Sequence, residues 1–136
     1  MPQSVLAATQ EAPLGAPRVL LATLPGERHG LGLSMCEVFF GTEGLLPVSL
    51  GVDVPVEETA AAARTLSIDA VALSVPAQSD MRLAGAQLRR LAALLPGSVP
   101  VWVGGAGAKA LSPRLPVERV ATWPEAERRA ARLRKR

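Results

Sequence analysis

Only one histidine occurs in the 136 residues, and its setting is unusual. His29 falls in LATLPGERHGLGLSM (residues 21–35), two residues after Glu27 and three before Gly32. Imidazole changes charge nearest neutral pH and is the side chain most used to bind transition metals. Glu27 and His29 are the one candidate acid–base pair in the chain; nothing else reads as an active site in its own right. Cys36 is the sole cysteine, so no intrachain disulfide can form, and one Cys with one His cannot complete a structural zinc site. The glycines of the loop do not make G-x-G-x-x-G, and no Walker A lysine follows. A flavodoxin-type phosphate loop wants Ser or Thr near the first helix, where this chain offers Arg28, His29 and Leu31. The acidic pair and phosphoacceptor Asp of a response-regulator receiver are also missing.

The elements that position this loop follow from hydrophobic patterning. Continuous apolar runs at 18–23, 69–75 and 101–105 predict strands buried on both faces. A further strand is expected at 45–50, with Pro47 marking a sheet edge, and a short fifth at 117–122. Helices are expected over 31–43, 56–66, 81–95 and 124–136, and a short one within 106–113. Leu31, Met35, Val38 and Phe39 lie at helical spacing in the first, and Leu83, Leu88, Leu91 and Leu95 form a core stripe in the third. Asp80 is a candidate N-cap, Gly44 a helix terminator, and Pro124 a first-turn residue. Strand and helix alternate throughout. Right-handed crossovers then give an α/β, flavodoxin-like (Rossmann-like) doubly wound sheet of five parallel strands, order 2-1-3-4-5, with helices on both faces. Residues 1–17 read as an N-terminal arm, 18–136 as one domain, and 124–136 as its basic C-terminal helix.

The bulk composition fits a single globular domain: 49% hydrophobic, 20% charged, with a core-sized length. The net charge of +3 is unevenly spread. Residues 118–136 carry seven basic and three acidic side chains, whereas residues 1–117 carry eight and nine. Basicity therefore belongs to the tail, RRAARLRKR, where cations suit a helix C-terminus. Such a tail supports at most weak, sequence-independent contact with DNA. No apolar run approaches the ~20 residues of a membrane span, and the N-terminus lacks the basic region and apolar core of a signal peptide. The expected location is the cytoplasm. Cys36 and Trp102 read as core residues and Trp123 as a local packing residue.

Ligands of doubly wound sheets sit beyond the carboxyl ends of the strands, at the point where strand order reverses. Three unusual stretches converge on that rim: Gly26 to Gly32 after strand 1, Ser74-Val75-Pro76 at the end of strand 3, and Gly104-Gly105 at the end of strand 4. Glu27-x-His29-x-x-Gly32, then 41 residues, Ser74-x-Pro76, then 27 residues, and Gly104-Gly105 resembles the cobalamin-binding domain family, whose hallmark is D-x-H-x-x-G, S-x-L and G-G. The match spans roughly residues 18–123. Glu27 stands where the family pattern has Asp, and Pro76 where it has Leu.

The resemblance implies that cobalamin is held base-off. Its dimethylbenzimidazole tail would enter a slot beside the sheet, and His29 would become the lower axial ligand of cobalt, with Glu27 accepting from its second ring nitrogen. Gly32, Ser74, Gly104 and Gly105 would form the slot, and Ser79 would end the relay behind His29. Adenosylcobalamin or methylcobalamin is the implied form, with hydroxocobalamin a further one. The wording of residues 20–58 is most similar to effector domains of MerR-type, cobalamin-dependent light-sensing transcriptional regulators. That implies a sensor or regulatory module rather than an enzyme. Residues 1–17 are too few for the helical cap of those regulators, and the remainder carries no helix-turn-helix pattern, so a separate protein partner or self-association is expected to cover the upper corrin face. The alternative is a corrinoid carrier subunit of a methyltransferase or adenosylcobalamin-dependent mutase. A third class, a flavodoxin-like domain reduced to an interaction surface, fits Glu27, His29 and the glycines less well.

Overall fold

The computed structural model describes residues 15–136. Most of the arm expected at residues 1–17 lies outside them. Five parallel strands form one sheet in the order β2-β1-β3-β4-β5. They are β1 (Arg18–Ala22), β2 (Leu46–Gly51), β3 (Ala70–Ser74), β4 (Val101–Gly104) and β5 (Glu118–Arg119). The helices are α1 (Leu31–Thr42), α2 (Val56–Thr65), α3 (Met81–Leu94) and α4 (Trp123–Arg134), with a 3-10 turn at Ala108–Ala110. The expected topology is therefore the observed one. Pro47 sits on edge strand β2, where its missing N–H costs no ladder bond on the open side. β5 is cut to two residues of the six expected.

Each sheet face carries its own core. Leu20, Leu73 and Val103 point to the side covered by α2 and α3, where Ala60, Leu88 and Leu91 meet them. Leu21, Ala72 and Trp102 point to the side covered by α1 and α4, where Leu33, Phe40 and Ala130 meet them. The continuous apolar runs arise because alternate side chains along each strand enter different cores. Asp80 caps α3 by accepting from the amides of Arg82 and Leu83. Thr122 caps α4, its hydroxyl accepting from the Glu125 amide, and Pro124 lies in the first turn as expected. Gly44 follows α1 at φ +82°, a left-handed conformation that suits glycine.

The expected apolar stripe of α1 departs from the structure at Leu31, Met35 and Val38, with Phe39 packed on the core, and that of α3 at Leu83 alone. On α1, Leu31, Met35 and Val38 are exposed, while Leu33, Glu37 and Phe40 face inward. Both sets have helical spacing, and Glu37 disguises the buried one. Phe40 decides the rotation of the helix by packing on Trp102, ring centroids 5.7 Å apart. On α3, Leu83 is 54% exposed, leaving Leu88, Leu91 and Leu95 inside. Small residues Ala84 and Gly85 occupy the buried side of that first turn instead.

Candidate functional site

The β1–α1 loop is built from backbone hydrogen bonds. β1 ends at Ala22, and Thr23 beyond it is fully buried. Gly26 turns the chain at φ +87°, with its amide bonded to the Asp53 carboxylate at 2.6 Å. The turn carries Glu27 to a half-buried position and His29 out to the rim. One carboxylate oxygen of Glu27 accepts from the backbone amide of His29 and contacts its ring Nδ1, both at 2.7 Å. These bonds, the backbone one foremost, hold the Glu27 carboxyl below the usual carboxylate range against the opposing effect of burial. An ionised carboxylate only accepts, so Nδ1 is the nitrogen that donates in this contact, which leaves Nε2 as the nitrogen free of the carboxylate. The His29 side chain is 79% exposed. An exposed imidazole with one nitrogen held by a carboxylate has the chemistry of a metal-binding side chain.

Beside this loop a cavity of about 540 Å³ opens between α1, α4 and the carboxyl ends of β3 and β4. Gly32, Ser74, Gly104 and Gly105 all line it, so four of the expected site residues come together. A Cβ on Gly32 would stand 3.1 Å from the Ser74 hydroxyl, which shows how closely the first turn of α1 approaches β3. A Cβ on Gly104 would lie 3.4 Å from the Val120 carbonyl. Gly105 has a second reason to be glycine. It adopts φ +94°, and a Cβ there would lie 2.5 Å from the Val75 carbonyl oxygen. Gly107 is equally pressed against the Pro76 carbonyl, and its amide donates to Val75 at 2.8 Å. The glycines after β4 thus let two loops touch backbone to backbone. Ser79 is placed elsewhere: it does not line the cavity, its amide closes a turn onto Pro76, and it shares no hydrogen bond with Glu27 among the described residues.

Cys36 and Trp102, expected in the core, and Trp123, expected as a packing residue, also line the cavity. Leu33, Cys36, Phe40 and Trp102 form an apolar interior, and burial pushes the Cys36 thiol up. Trp123, 46% exposed, lies against Phe39 with ring centroids 4.8 Å apart and lines the cavity from the start of α4. Arg119 braces the far wall, donating to the carbonyls of Ala108 at 3.2 Å, Leu111 at 2.9 Å and Ser112. No sequence pattern marks these positions, because a cavity wall and a core use the same side chains.

A rim histidine held by a carboxylate and an apolar cavity at a switch point are features suited to a large ligand. Residues 17–131 match the B12 binding domain, and the chain belongs to that family. It is 38% identical over 99 residues to the HTH-type transcriptional repressor CarH of Myxococcus xanthus, a stretch covering 72% of this chain and 33% of that protein. Its fold is similar to a cobalamin-binding protein from Desulfitobacterium hafniense DCB-2, with TM-score 0.71, 21% identity, and 87% of this chain and 59% of that one covered. It is also similar to the monomethylamine corrinoid protein of Methanosarcina barkeri, with TM-score 0.66, 22% identity, and 96% and 62% covered. The chain spans about a third of the length of the curated relative. It is a binding module: the family is defined by holding a cofactor rather than by catalytic residues.

The residues present fit the group. The cavity lies within the ~300–1,000 Å³ of small-molecule sites, its interior is apolar, and Gly32 and Gly104 leave its wall without a side chain. Glu27 and His29 do not line the cavity; they stand in the loop that runs into it at Gly32.

Proposed function

We propose that this domain is a cobalamin-binding sensor module that holds its cofactor base-off, with His29 as the lower axial ligand of cobalt. The observation that carries the reading is the Glu27–His29 pair: Nδ1 held at 2.7 Å and the ring 79% exposed beside the cavity. Bound cobalamin would supply the cobalt centre and any photochemistry of its upper bond. The chain's own residues bind and orient. His29 Nε2 would donate to the metal, Glu27 would fix the ring, and Gly32, Ser74, Gly104 and Gly105 would accommodate the dimethylbenzimidazole tail. The 38% identity to a transcriptional repressor favours a regulatory role in the cytoplasm, with a partner chain or second copy over the upper corrin face. Adenosylcobalamin or methylcobalamin is the proposed form.

The test is a titration of apo protein with adenosyl-, methyl- and hydroxocobalamin, in the dark and after illumination. Wild type should bind one to one with a base-off, His-on visible spectrum. His29→Ala should change that spectrum and weaken binding by about tenfold or more. An unchanged spectrum would refute the ligand assignment.

A corrinoid carrier is the second reading, favoured by the likeness over 96% of the chain to the monomethylamine corrinoid protein. Light-insensitive cobalamin binding, together with capture of a methyltransferase or mutase subunit, would select it.

A further inference from the structure

Thr23 is fully buried at the end of β1, yet it is polar and touches no ligand cavity. Its hydroxyl is spent twice. It donates to the Glu27 carbonyl at 2.7 Å and accepts from the Asp53 amide at 2.8 Å. The Asp53 amide also lies 2.9 Å from the Glu27 carbonyl. Asp53 closes the figure from the other side, its carboxylate accepting from the Gly26 amide at 2.6 Å while its second oxygen lies 3.7 Å from Arg28 Nε. Asp53 sits at φ +54°, a left-handed conformation that Asp, Asn and Gly tolerate best. The β2–α2 turn is thereby bonded to residues 23, 26, 27 and 28, on both sides of the Glu27 side chain.

We propose that Thr23 and Asp53 are positioning residues, a clasp that fixes the Glu27 backbone so that its carboxylate already holds His29 Nδ1 before cobalamin arrives. The inference rests on His29 being the metal ligand. It extends that reading to two residues outside the cavity and the rim pair. The physical reason is entropic. Glu27 and His29 are loop residues, and an exposed imidazole explores its rotamers freely unless its partner is itself immobile. The Thr23 hydroxyl bridges the two loops inside the protein, where a hydrogen bond left unmade is costly. Replacing it by a methyl leaves the Glu27 carbonyl with fewer donors and frees the loop.

The single histidine makes the test direct, because imidazole 15N signals of the apo protein at about pH 8, where an ordinary imidazole is neutral, belong to His29 alone. Wild type should show the Nδ1–H tautomer. Thr23→Val and Asp53→Gly should lose that preference and raise the cobalamin Kd by about tenfold, as loss of an orienting partner commonly does. Thr23→Ser and Asp53→Asn keep the hydroxyl and the acceptor oxygen, and should restore both readouts. A purely structural role would lower the melting temperature and leave the tautomer as it was. Folded Thr23→Val and Asp53→Gly proteins with the wild-type tautomer overturn the inference; if Thr23→Val fails to fold, Asp53→Gly decides alone. Should His29→Ala leave the bound cofactor's spectrum unchanged, the ligand assignment falls, while the tautomer measured without cofactor still decides the clasp.

Discussion

Glu27 and Glu37 are ten residues apart and meet opposite fates. Glu27 gains two bonds from His29 and ionises more easily than an ordinary carboxyl. A carboxyl whose value is depressed on folding stabilises the fold at and above the usual carboxylate range, and that contribution is lost as pH falls through the depressed value. Cobalamin binding through His29 should therefore weaken when Glu27 is protonated, and Glu27→Gln should lower affinity about tenfold at neutral pH, measured by titration. Glu37 is buried on α1, and its Oε2 has no hydrogen-bond partner among the described residues. Burial raises its value, so its charge costs stability above the usual carboxylate range, and the cost fades as pH falls into it. Glu37→Gln should raise stability by about 1 kcal/mol at pH 7, with the gap closing near pH 4 in urea melts. An equal gap at both pH values would show that the charge is not the cause.

At the level of elements, the glycines after β4 separate two demands. Gly104 faces the cavity with room for a Cβ, whereas Gly105 is pressed on Val75 at a positive φ. Gly104→Leu should therefore block cobalamin and leave a folded apo protein, while Gly105→Leu should unfold or distort the apo protein as well; circular dichroism and titration separate them. On α3, Leu88→Ala should cost about 2–5 kcal/mol and Leu83→Ala within about 0.5 kcal/mol, by denaturant melts. The sequence pattern identified every strand, the sheet order and the rim, because alternation of buried runs with helices leaves few topologies. It also picked out the loop and the glycines that line the cavity. It misread the rotation of α1, since both stripes have helical spacing and only the partner surface distinguishes them. It missed Trp123 and Arg119, and it put Ser79 in a relay that the β3–α3 turn does not form. Each of those depends on which loop lies against which, and spacing along the chain does not encode that.

For the whole molecule, the basic tail proves to be largely tied down. Arg129 pairs with Glu118, Arg134 reaches the Glu43 carbonyl, and Arg136 reaches Ser98 at 2.9 Å. DNA binding by this chain alone should be weak, without sequence preference, and lost between about 50 and 200 mM salt in gel-shift titrations. The opposite end, where His29 is open to solvent, is where cofactor loading should change assembly. A corrin seated there adds apolar surface, and large apolar patches mark interfaces. Sedimentation should show holo protein in larger assemblies, or with a partner, compared with apo protein, and illumination should alter that state if light breaks an upper cobalt–carbon bond. Identical monomers throughout, with no partner retained on immobilised holo protein, would favour the carrier reading.

The central position of β1 also has a consequence for synthesis. β1 is the first made of the five strands of this sheet, but its neighbours are Leu46–Gly51 on one side and Ala70–Leu73 on the other, the second about fifty residues further along. Val19, Leu20, Leu21 and Ala22 are all fully buried in the finished sheet. While the chain emerges from the ribosome, this apolar strand must wait with one edge open until β3 has appeared, a delay in which strands pair wrongly. A nascent chain stalled after residue 68 should be sticky and chaperone-bound, whereas one stalled beyond residue 105, with β4 in hand, has the means to close its own core.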